Sequence, residues 1–257
     1  LLVGGTGLVG HELLCQLLAD PDIGEVRALV RRPVSAEALL RMAPQAMPGV
    51  GKLRIGVIDF ERLVQHSEWF DADWVASTLG TTIAQAGSRP AFRRVDLDYP
   101  LEVMQLARAQ GARRAMLVSA VGARATSRIF YNRVKGELEE AVRELGFEHV
   151  SVAQPSLLAG ARPAFRLGER VGLALGWLMP APYKPVAASQ VAAGLLASAK
   201  AGEPVEPKTC DNPVVEQLLF GQQLGVKGTP AIFFANGVLQ PGYTPAATLA
   251  AEALANQ

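Results

Sequence analysis

The chain opens on a glycine-rich turn that follows an apolar run and leads into a helical pattern. The first three residues are apolar, and the turn reads Gly4-Gly5-Thr6-Gly7-Leu8-Val9-Gly10. Apolar side chains then recur at helical spacing, at Val9, Leu13, Leu14, Leu17 and Leu18. A strand, a glycine turn and a helix in this order bind the pyrophosphate of a dinucleotide at the helix N-terminus. The pattern therefore predicts a nucleotide-binding α/β fold.

Three glycines of this turn have separate predicted roles. Gly4 permits the tight turn, Gly7 lets the phosphates approach the backbone, and Gly10 lets the helix pack closely on the strand. The remaining cofactor contacts predicted in the turn are Thr6, Leu8 and Val9. A glycine pattern alone is weak evidence, because turns and packing contacts also collect glycine. The strand before it and the helix after it make this pattern specific.

Length and composition limit the possible functions. The 257 residues suffice for one large α/β domain or for a domain with a smaller companion, and 49% of them are hydrophobic. A net charge of +1 and dispersed arginine pairs give no reason to expect a nucleic-acid partner. Two cysteines without CxxC spacing make no disulfide framework, and we expect Cys15 to be a buried apolar residue. Three separated histidines predict no metal site.

No membrane span or secretory signal is visible in the sequence. The longest apolar stretch, residues 171–179, is too short to cross a bilayer. A cytoplasmic location is therefore expected. The chain has no initiator Met and starts inside its predicted first strand, which predicts that N-terminal residues, and any targeting segment with them, are missing.

Strand-like and helix-like segments alternate after the first helix. Strands are predicted at 26–30, 53–58, 74–77 and 115–118, with a helix at 92–109 between the last two. This alternation predicts a Rossmann-type doubly wound parallel sheet with helices on both faces. Because such sheets bind ligands at the carboxyl ends of their strands, the predicted cofactor contacts include Thr78, Leu79 and Gly80 after the fourth strand and Asp59 and Phe60 after the third.

Arginines follow the second predicted strand, where the adenine ribose lies in dinucleotide folds. An acidic residue at that place binds the ribose 2′-hydroxyl, whereas arginine accommodates a 2′-phosphate. The chain has Arg31 and Arg32 there and no acid. The pair therefore favours NADP over NAD, although an exposed arginine at a strand end is the simpler alternative for one of them.

Three polar residues form a candidate catalytic group. Ser119 ends the fifth predicted strand, and Tyr131 and Lys135 follow on a predicted helix. Residues four apart share one helix face, so the phenol and the ammonium line the same surface. A neighbouring ammonium lowers the pKa of a tyrosine and makes it a usable acid or base. The serine hydroxyl can hold a substrate oxygen that develops charge.

Together these motifs resemble the short-chain dehydrogenase/reductase superfamily, in its atypical, NmrA-like and Tat-interacting-protein-like branch. The resemblance covers residues 1–203 and includes the glycine turn, the Ser77–Thr82 loop, the Arg94–Tyr99 stretch and the loop at 154–160. It implies that Ser119, Tyr131 and Lys135 are catalytic and that Lys135 also binds the nicotinamide ribose. It further implies that Pro155, Leu157 and Leu158 lie beside the nicotinamide. The branch includes cofactor-binding regulators, so the fold does not prove catalysis.

The pattern changes after a proline-interrupted linker at 204–209. Residues 210–257 resemble the closing segment of periplasmic, bacterial disulfide isomerases of the DsbC type, with a partial thioredoxin-like α-β-β-α order. A strand is predicted at 231–235, with a two-residue turn at Asn236-Gly237. The resemblance implies a cis Thr229–Pro230 bond. Because the CxxC pair is absent, Cys210 cannot run a thiol exchange cycle within the chain, and a natural fusion and an artificial junction both remain open.

Three functions are compatible with these observations. The first is hydride transfer between NADP(H) and a small carbonyl or alcohol substrate, with NAD as the other possible cofactor. The second is a non-catalytic regulator that binds the dinucleotide. The third is a disulfide isomerase fragment without its CxxC pair. Self-association through the C-terminal segment is the one protein contact predicted, and the sequence at 164–185 identifies no substrate, although Arg162, Arg166, Tyr183 and Lys184 are available to contact one.

Overall fold

A computed structural model of the chain describes residues 1–40, 49–156, 158–159, 185–202, 231–233 and 239–241. The chain divides into two units, Leu1–Val205 and Glu206–Gln257. In the described residues, no helix is long and apolar enough to cross a membrane.

Six parallel strands form the central sheet of the first unit. They are β1 Leu2–Val3, β2 Val26–Val30, β3 Leu53–Val57, β4 Trp74–Ser77, β5 Arg114–Val118 and β6 His149–Ala153. Their order across the sheet is β3-β2-β1-β4-β5-β6. The side of the sheet to which successive strands are added therefore changes between β1 and β4. Open parallel sheets bind ligands outside the carboxyl ends of the strands at such a point. The predicted Rossmann-type sheet is confirmed.

Helices cover both faces of this sheet. They are α1 Leu8–Ala19, α2 Ala36–Leu40, α3 Ile83–Ala86, α4 Arg89–Arg93, α5 Tyr99–Ala109, α6 Phe130–Glu144 and α7 Ala188–Ala201. Residues of α1 and α7 form one core with one face of the sheet, and residues of α5 and α6 form a second core with the other face. Neighbouring strand residues therefore face opposite cores: Val75 packs toward α5 and α6, and Ala76 toward α1 and α7.

The helix predicted at 92–109 is longer and less regular than expected. It begins at Arg89, where the Ser88 hydroxyl accepts a hydrogen bond of 3.2 Å from the Ala91 amide. A π-helical turn, Arg94–Asp98, then joins α4 to α5. Pro100 has no N–H to donate to the carbonyl of Asp96, and its ring crowds that carbonyl, so the regular ladder is broken at this point. The break places Asp96 in the buried interior.

Short strands complete the described residues. In the first unit, β7 Leu158–Ala159 pairs in parallel with β8 Val186–Ala187. In the second unit, β9 Ala231–Phe233 pairs antiparallel with β10 Leu239–Pro241, with Phe233 opposite Leu239. This register differs by one residue from the one that a two-residue turn at 236–237 would set. Residues 234–238, which include that predicted turn, lie outside the described residues. The predicted linker at 204–209, the Thr229–Pro230 bond and Cys210 lie outside the described residues.

Candidate functional site

The glycine turn lies where the carboxyl ends of β1 and β4 meet the start of α1. Gly4 has a φ of +82°, and a Cβ there would lie 2.7 Å from the carbonyl carbon of Thr78. Its carbonyl oxygen accepts a hydrogen bond of 2.9 Å from the Gly7 amide, which closes the turn. Only glycine fits both the positive φ and the close approach to the loop after β4.

Gly10 brings α1 against the same loop. A Cβ at residue 10 would lie 2.2 Å from the Gly4 oxygen and 2.4 Å from Thr78 Oγ1. That hydroxyl donates to the Val3 carbonyl at 3.0 Å, which fixes the end of β1. Gly7 is the N-cap residue of α1, and because it has no side chain, the helix start stays open to an anion. Thr6 is exposed and Leu8 half-buried, whereas Val9 is a core residue, so only its backbone is available to a ligand.

A cleft of about 360 Å³ lies at the carboxyl ends of β2 and β3. Its lining comprises Arg31, Val57, Ile58, Asp59, Phe60 and Tyr99. Arg31 and Asp59 are exposed, and Phe60 is buried with its ring centroid 5.5 Å from that of Tyr99 in an edge-to-face arrangement. Arg32 is exposed but does not line the cleft. The structure therefore brings together three of the four cofactor contacts that were predicted after the second and third strands.

Sequence reasoning missed a second set of residues beside this cleft. Glu61 accepts hydrogen bonds from the Tyr99 hydroxyl and, at 2.8 Å, from Arg94 Nη2. The Arg94 guanidinium also lies 4.8 Å from the centre of the Tyr99 ring. Hydrogen bonds from Arg94 and then from Tyr99 lower the pKa of Glu61, which keeps it ionised. Because 33 residues separate Glu61 from Arg94, no local pattern could have found their contact.

Ser119 directly follows β5, as predicted. Its backbone amide donates to the Ala153 carbonyl at 2.8 Å, which joins the end of β5 to the end of β6. The residue is only 6% exposed, and its Oγ has no hydrogen-bond partner among the described residues. Buried hydroxyls are normally paired, so this one is available to a ligand atom. Ser77, at the end of the neighbouring β4, is in the same condition.

Tyr131 and Lys135 lie on the first turns of α6. The Tyr131 ring packs against Phe92 of α4, with centroids 5.5 Å apart. The loop before α6 is held close to the helix, because a Cβ at Gly136 would lie 2.1 Å from the carbonyl carbon of Arg124. The Arg124 amide also donates to the Asn132 carbonyl at 3.1 Å. This close packing holds the loop between β5 and α6 against the first turns of the helix.

Lys135 is buried and paired with an acid that sequence reasoning gave no role. Its Nζ lies 2.7 Å from Oδ1 of Asp96, and the two side chains are 3% and 0% exposed. The other Asp96 oxygen accepts a hydrogen bond of 2.9 Å from the Thr81 amide. Burial raises the pKa of Asp96, while Lys135 and the Thr81 amide act in the opposite direction. Lys135 is thus at the carboxyl edge of the sheet, as expected, but its positive charge is paired with the carboxylate of Asp96.

The remaining predicted contacts follow β6. The Pro155 carbonyl accepts a hydrogen bond of 3.0 Å from the Val121 amide, which places residue 155 beside the loop after Ser119. Leu158 is half-buried in β7 and packs against the core of α1 and α7. Leu157 and the candidate substrate residues Arg162, Arg166, Tyr183 and Lys184 lie outside the described residues.

A larger cavity, about 600 Å³, opens at the opposite edge of the sheet. It lies at the amino ends of β2, β4 and β5, where Trp74 and Arg113 contribute to its wall. Ligands of open parallel sheets bind at the carboxyl ends, and it is the smaller cleft, not this cavity, that lies at the same edge of the sheet as the glycine turn. Cys15 is not suited to act as a nucleophile, because burial raises the pKa of its thiol to about 11.

Solved structures with the same fold agree with this geometry. The UDP-Glc/GlcNAc 4-epimerase from Campylobacter jejuni is 12% identical, with a TM-score of 0.59 over 77% of this chain and 73% of that one. A short-chain dehydrogenase/reductase variant from Serratia marcescens is 16% identical, with a TM-score of 0.57 over 78% and 90% of the two chains. No protein-family model matches the chain. The fold and the glycine turn thus define a Rossmann-type protein, and the likeness to these structures concerns the fold alone.

Sequence relatives identify the family. The chain is 36% identical to the mitochondrial protein fmp52 of Emericella nidulans, over 66% of this chain and 71% of that protein. It is 32% identical to FMP52 of Coccidioides immitis, over 79% and 87% of the two chains. The chain therefore belongs to the FMP52 family. It is also 35% identical to HTATIP2 of Rattus norvegicus, over 65% and 66% of the two chains, which agrees with the resemblance to the Tat-interacting-protein-like branch.

These relatives correct one expectation and leave others without support. The predicted cytoplasmic location is wrong, because the FMP52 proteins are named as mitochondrial. The expectation rested on the absence of a membrane span and of a secretory signal, and neither absence bears on a mitochondrial targeting segment. The relatives are fungal or mammalian, and they lend no support to a bacterial source, to a chimeric chain or to the resemblance of residues 210–257 to DsbC-type isomerases.

Proposed function

We propose that the chain is an NADP(H)-dependent oxidoreductase that transfers a hydride between the cofactor and a small carbonyl or alcohol. The observation that carries this proposal is the Ser119 hydroxyl. It is buried, it has no partner among the described residues, and it directly follows the carboxyl end of β5, the strand that precedes α6 in the chain. That helix carries Tyr131 and Lys135 four residues apart, the spacing that puts both on one face.

Each residue has a defined role in the proposed reaction. A bound nicotinamide cofactor supplies or accepts the hydride. In the reducing direction, Ser119 donates a hydrogen bond to the substrate carbonyl oxygen, and the Tyr131 phenol gives that oxygen a proton as the carbon receives the hydride. The resulting phenolate regains a proton from solvent. In this scheme the open N-terminus of α1 and the glycine turn hold the pyrophosphate, and Arg31, which lines the cleft after β2 and β3, binds the 2′-phosphate.

Cofactor titration tests the binding half of this proposal. NADPH fluorescence is followed as protein is added, and NADH is titrated in the same way. We expect tighter binding of NADPH than of NADH, because Arg31 borders the cleft and no acidic residue follows β2 directly. Equal affinity for the two would remove the case for NADP. Failure to bind either one would contradict the central proposal.

Turnover of a carbonyl panel tests the chemical half. The substitution Tyr131→Phe keeps the ring that packs on Phe92 and removes only the phenol proton. We expect kcat to fall by roughly 10² to 10⁴, the usual contribution of a general acid, while NADPH affinity stays near that of the parent. Because binding serves as the internal control, a fall in kcat cannot be attributed to loss of the fold. A variant as fast as the parent would show that Tyr131 is not the proton donor.

A cofactor-binding regulator is the second candidate function, and one observation favours it. The Asp96 carboxylate lies 2.7 Å from the Lys135 ammonium. This negative charge offsets the field that would otherwise stabilise a Tyr131 phenolate. Tight NADPH binding without turnover of any carbonyl would support the regulator. A disulfide isomerase function has no support, since no CxxC pair exists in the sequence.

The names of the relatives also suggest where the protein acts. We propose a mitochondrial location from the FMP52 proteins, which are named as mitochondrial. Fractionation of cells that produce the protein from its natural gene tests this proposal. Recovery in the cytosol alone would contradict it.

A further inference from the structure

We propose that Asp96 is a positioning residue of the proposed oxidoreductase, which holds the Lys135 ammonium at the edge of the loop after β4. This inference rests on the proposed function. Asp96 does not contact the reacting atoms in this scheme but acts through Lys135.

The Asp96–Lys135 pair differs in burial from the other ion pairs among the described residues. Its side chains are 0% and 3% exposed, with 2.7 Å between Oδ1 and Nζ. Each of the others has at least one partner that is 36% exposed or more. A charge that is removed from water must have fixed partners. The position of the Lys135 ammonium is therefore set by Asp96.

The ammonium keeps a donor for a ligand. A lysine has three N–H donors. In the described part of the chain, its polar partners are Asp96 and, at a long 3.5 Å, the Leu79 carbonyl. The nitrogen also lies 3.7 Å from the position of a Cβ on Gly80, an exposed residue. The third donor thus borders the loop that is predicted to contact the cofactor.

Asp96 is itself fixed from two sides. The π-helical turn Arg94–Asp98 carries it into the interior, where it is 0% exposed. Its Oδ2 accepts a hydrogen bond of 2.9 Å from the Thr81 amide, which belongs to the loop after β4. One carboxylate therefore joins the α4–α5 helix, the loop after β4 and α6. Because the helical turn and the Thr81 amide fix the carboxylate, its Oδ1 is held in place beside the Lys135 ammonium.

Charge and shape can be separated by two substitutions at this position. Asp96→Asn keeps the shape and an acceptor oxygen but removes the charge, whereas Asp96→Glu keeps the charge and adds one methylene. If Asp96 acts through its charge on Lys135, Asp96→Glu retains more of kcat and of NADPH affinity than Asp96→Asn. We expect Asp96→Asn to lower kcat/KM for NADPH about 10- to 100-fold. If its role is only packing, the isosteric Asn is the better replacement, and that order would overturn the inference.

A matched control lies two residues away on the same turn. Asp98 is 37% exposed, and its partner is Arg94 at 3.7 Å. We expect Asp98→Asn to leave kcat, KM and NADPH affinity within about two-fold of the parent, because exposed pairs contribute little. Melting temperatures are measured for every variant without cofactor. An Asp96→Asn protein that is less stable but kinetically unchanged would overturn the positioning role.

A double-substitution cycle tests whether Asp96 acts through Lys135. Asp96→Asn is compared in the parent and in a Lys135→Met background, with NADPH affinity and kcat as readouts. We expect its kinetic effect to disappear when the lysine is gone, since contacting residues are not additive. The double variant has neither buried charge, and it remains a usable reference if Lys135→Met alone does not fold, because Asp96→Asn can then be compared with it directly. Equal losses in both backgrounds would contradict the inference.

Failure of this inference and failure of the proposed function give different results. A parent that binds NADPH but reduces no carbonyl loses the hydride-transfer function, while the affinity of Asp96→Asn for NADPH still decides the role of Asp96. A parent that turns over carbonyls together with an unchanged Asp96→Asn variant overturns the inference alone. A parent that binds no dinucleotide overturns both, because Lys135 then has no cofactor toward which Asp96 could position it.

Discussion

The carboxyl edge of the sheet carries its charged groups in two different settings. At what we call the buried end, after β4 and β5, Asp96 and Lys135 are 0% and 3% exposed and neutralise each other. At the exposed end, after β2 and β3, Arg31 and Asp59 lie open beside a cleft, and Glu61 pairs with Arg94 on the surface. The same sheet edge therefore offers a fixed environment at one end and an adaptable one at the other.

This difference has consequences for what each end can do. A buried charge has a few fixed partners, so it can hold an atom of a ligand in one place, and its loss leaves an uncompensated charge behind. An exposed charge is screened by water and ions and contributes little to folding. We infer that the buried end governs stability and chemistry, whereas the exposed end governs which dinucleotide binds.

The largest expected effect is on stability at the buried end. Asp96→Ala leaves the Lys135 ammonium buried without its carboxylate, and we expect it to lower the free energy of unfolding by about 3–5 kcal/mol. Urea unfolding followed by circular dichroism measures this change. Asp98→Ala on the same π-helical turn is the control, with an expected change of about 0.5 kcal/mol or less because Asp98 is 37% exposed. Equal losses in the two variants would show that the buried and exposed ends do not differ.

The double substitution Asp96→Leu with Lys135→Met sharpens the same point. It removes both charges and puts apolar side chains in their place, a Met of nearly the volume of Lys135 and a larger Leu with the branching of Asp96. Such replacements are often neutral or stabilising by about 1–4 kcal/mol. We therefore expect recovery of most of the stability that Asp96→Ala loses, together with loss of activity. Stability that stays low would mean that the pair also supports the fold in a way that apolar packing cannot replace.

A smaller effect on stability is expected in the glycine turn, which follows β1 and so lies between the exposed end and the buried end of the sheet edge. A Cβ at Gly10 would lie 2.2 Å from the Gly4 oxygen, so Gly10→Ala must push α1 away from the end of β1. We expect a loss of roughly 1–3 kcal/mol in the free energy of unfolding, as for other overpacked sites, and weaker binding of both NADPH and NADH. The matched control is Gly24→Ala, since a Cβ there meets nothing within 4 Å. Unchanged affinity in Gly10→Ala would exclude the turn as the pyrophosphate site.

At the exposed end, the expected effect is on selectivity rather than on stability. Arg31→Ala removes a cation that lines the cleft beside Phe60. We expect NADPH to bind about 10-fold more weakly, about 1.4 kcal/mol for one charged hydrogen bond, with NADH affinity and unfolding unchanged. Arg54→Ala serves as the control, because Arg54 is 62% exposed and faces Glu25 away from the cleft. A parallel loss for NADH would contradict the role of Arg31 in selectivity.

The sequence predicted the sheet far better than it predicted the buried pair. Strands at 26–30 and 74–77 agree with β2 and β4 because both are apolar runs buried on two faces, a local property. Ser119 and α6 were found because their spacing is also local. Asp96 was not assigned a role, since its contact depends on an irregular turn and on a lysine 39 positions later. No periodicity in the sequence reports a contact of that kind.

The smallest expected effect is a difference in how two carboxylates respond to pH. The pKa of Glu61 is lowered by hydrogen bonds from Arg94 and Tyr99, so the unfolded state binds its proton first as the pH falls. Its contribution to stability is therefore present above an ordinary glutamate pKa of about 4.3 and is lost as the pH falls through the lowered value. Burial raises the pKa of Asp96, so the unfolded state loses this proton first as the pH rises. The stability that depends on a protonated Asp96 is therefore present below an ordinary aspartate pKa of about 3.9 and is lost as the pH rises through the raised pKa.

Unfolding free energies between about pH 3 and pH 7, a range that contains both ordinary carboxyl pKa values, separate the two ends of the sheet edge by the sign of this response. The difference between the parent and Glu61→Gln should grow as the pH rises, because the exposed carboxylate becomes ionised in a favourable setting. The difference between the parent and Asp96→Asn should shrink over the same range, because ionisation of a fully buried carboxylate opposes folding. Slopes of the same sign would mean that Lys135 fully compensates the cost of burying the Asp96 carboxylate. The buried and exposed ends would then differ only in their access to water.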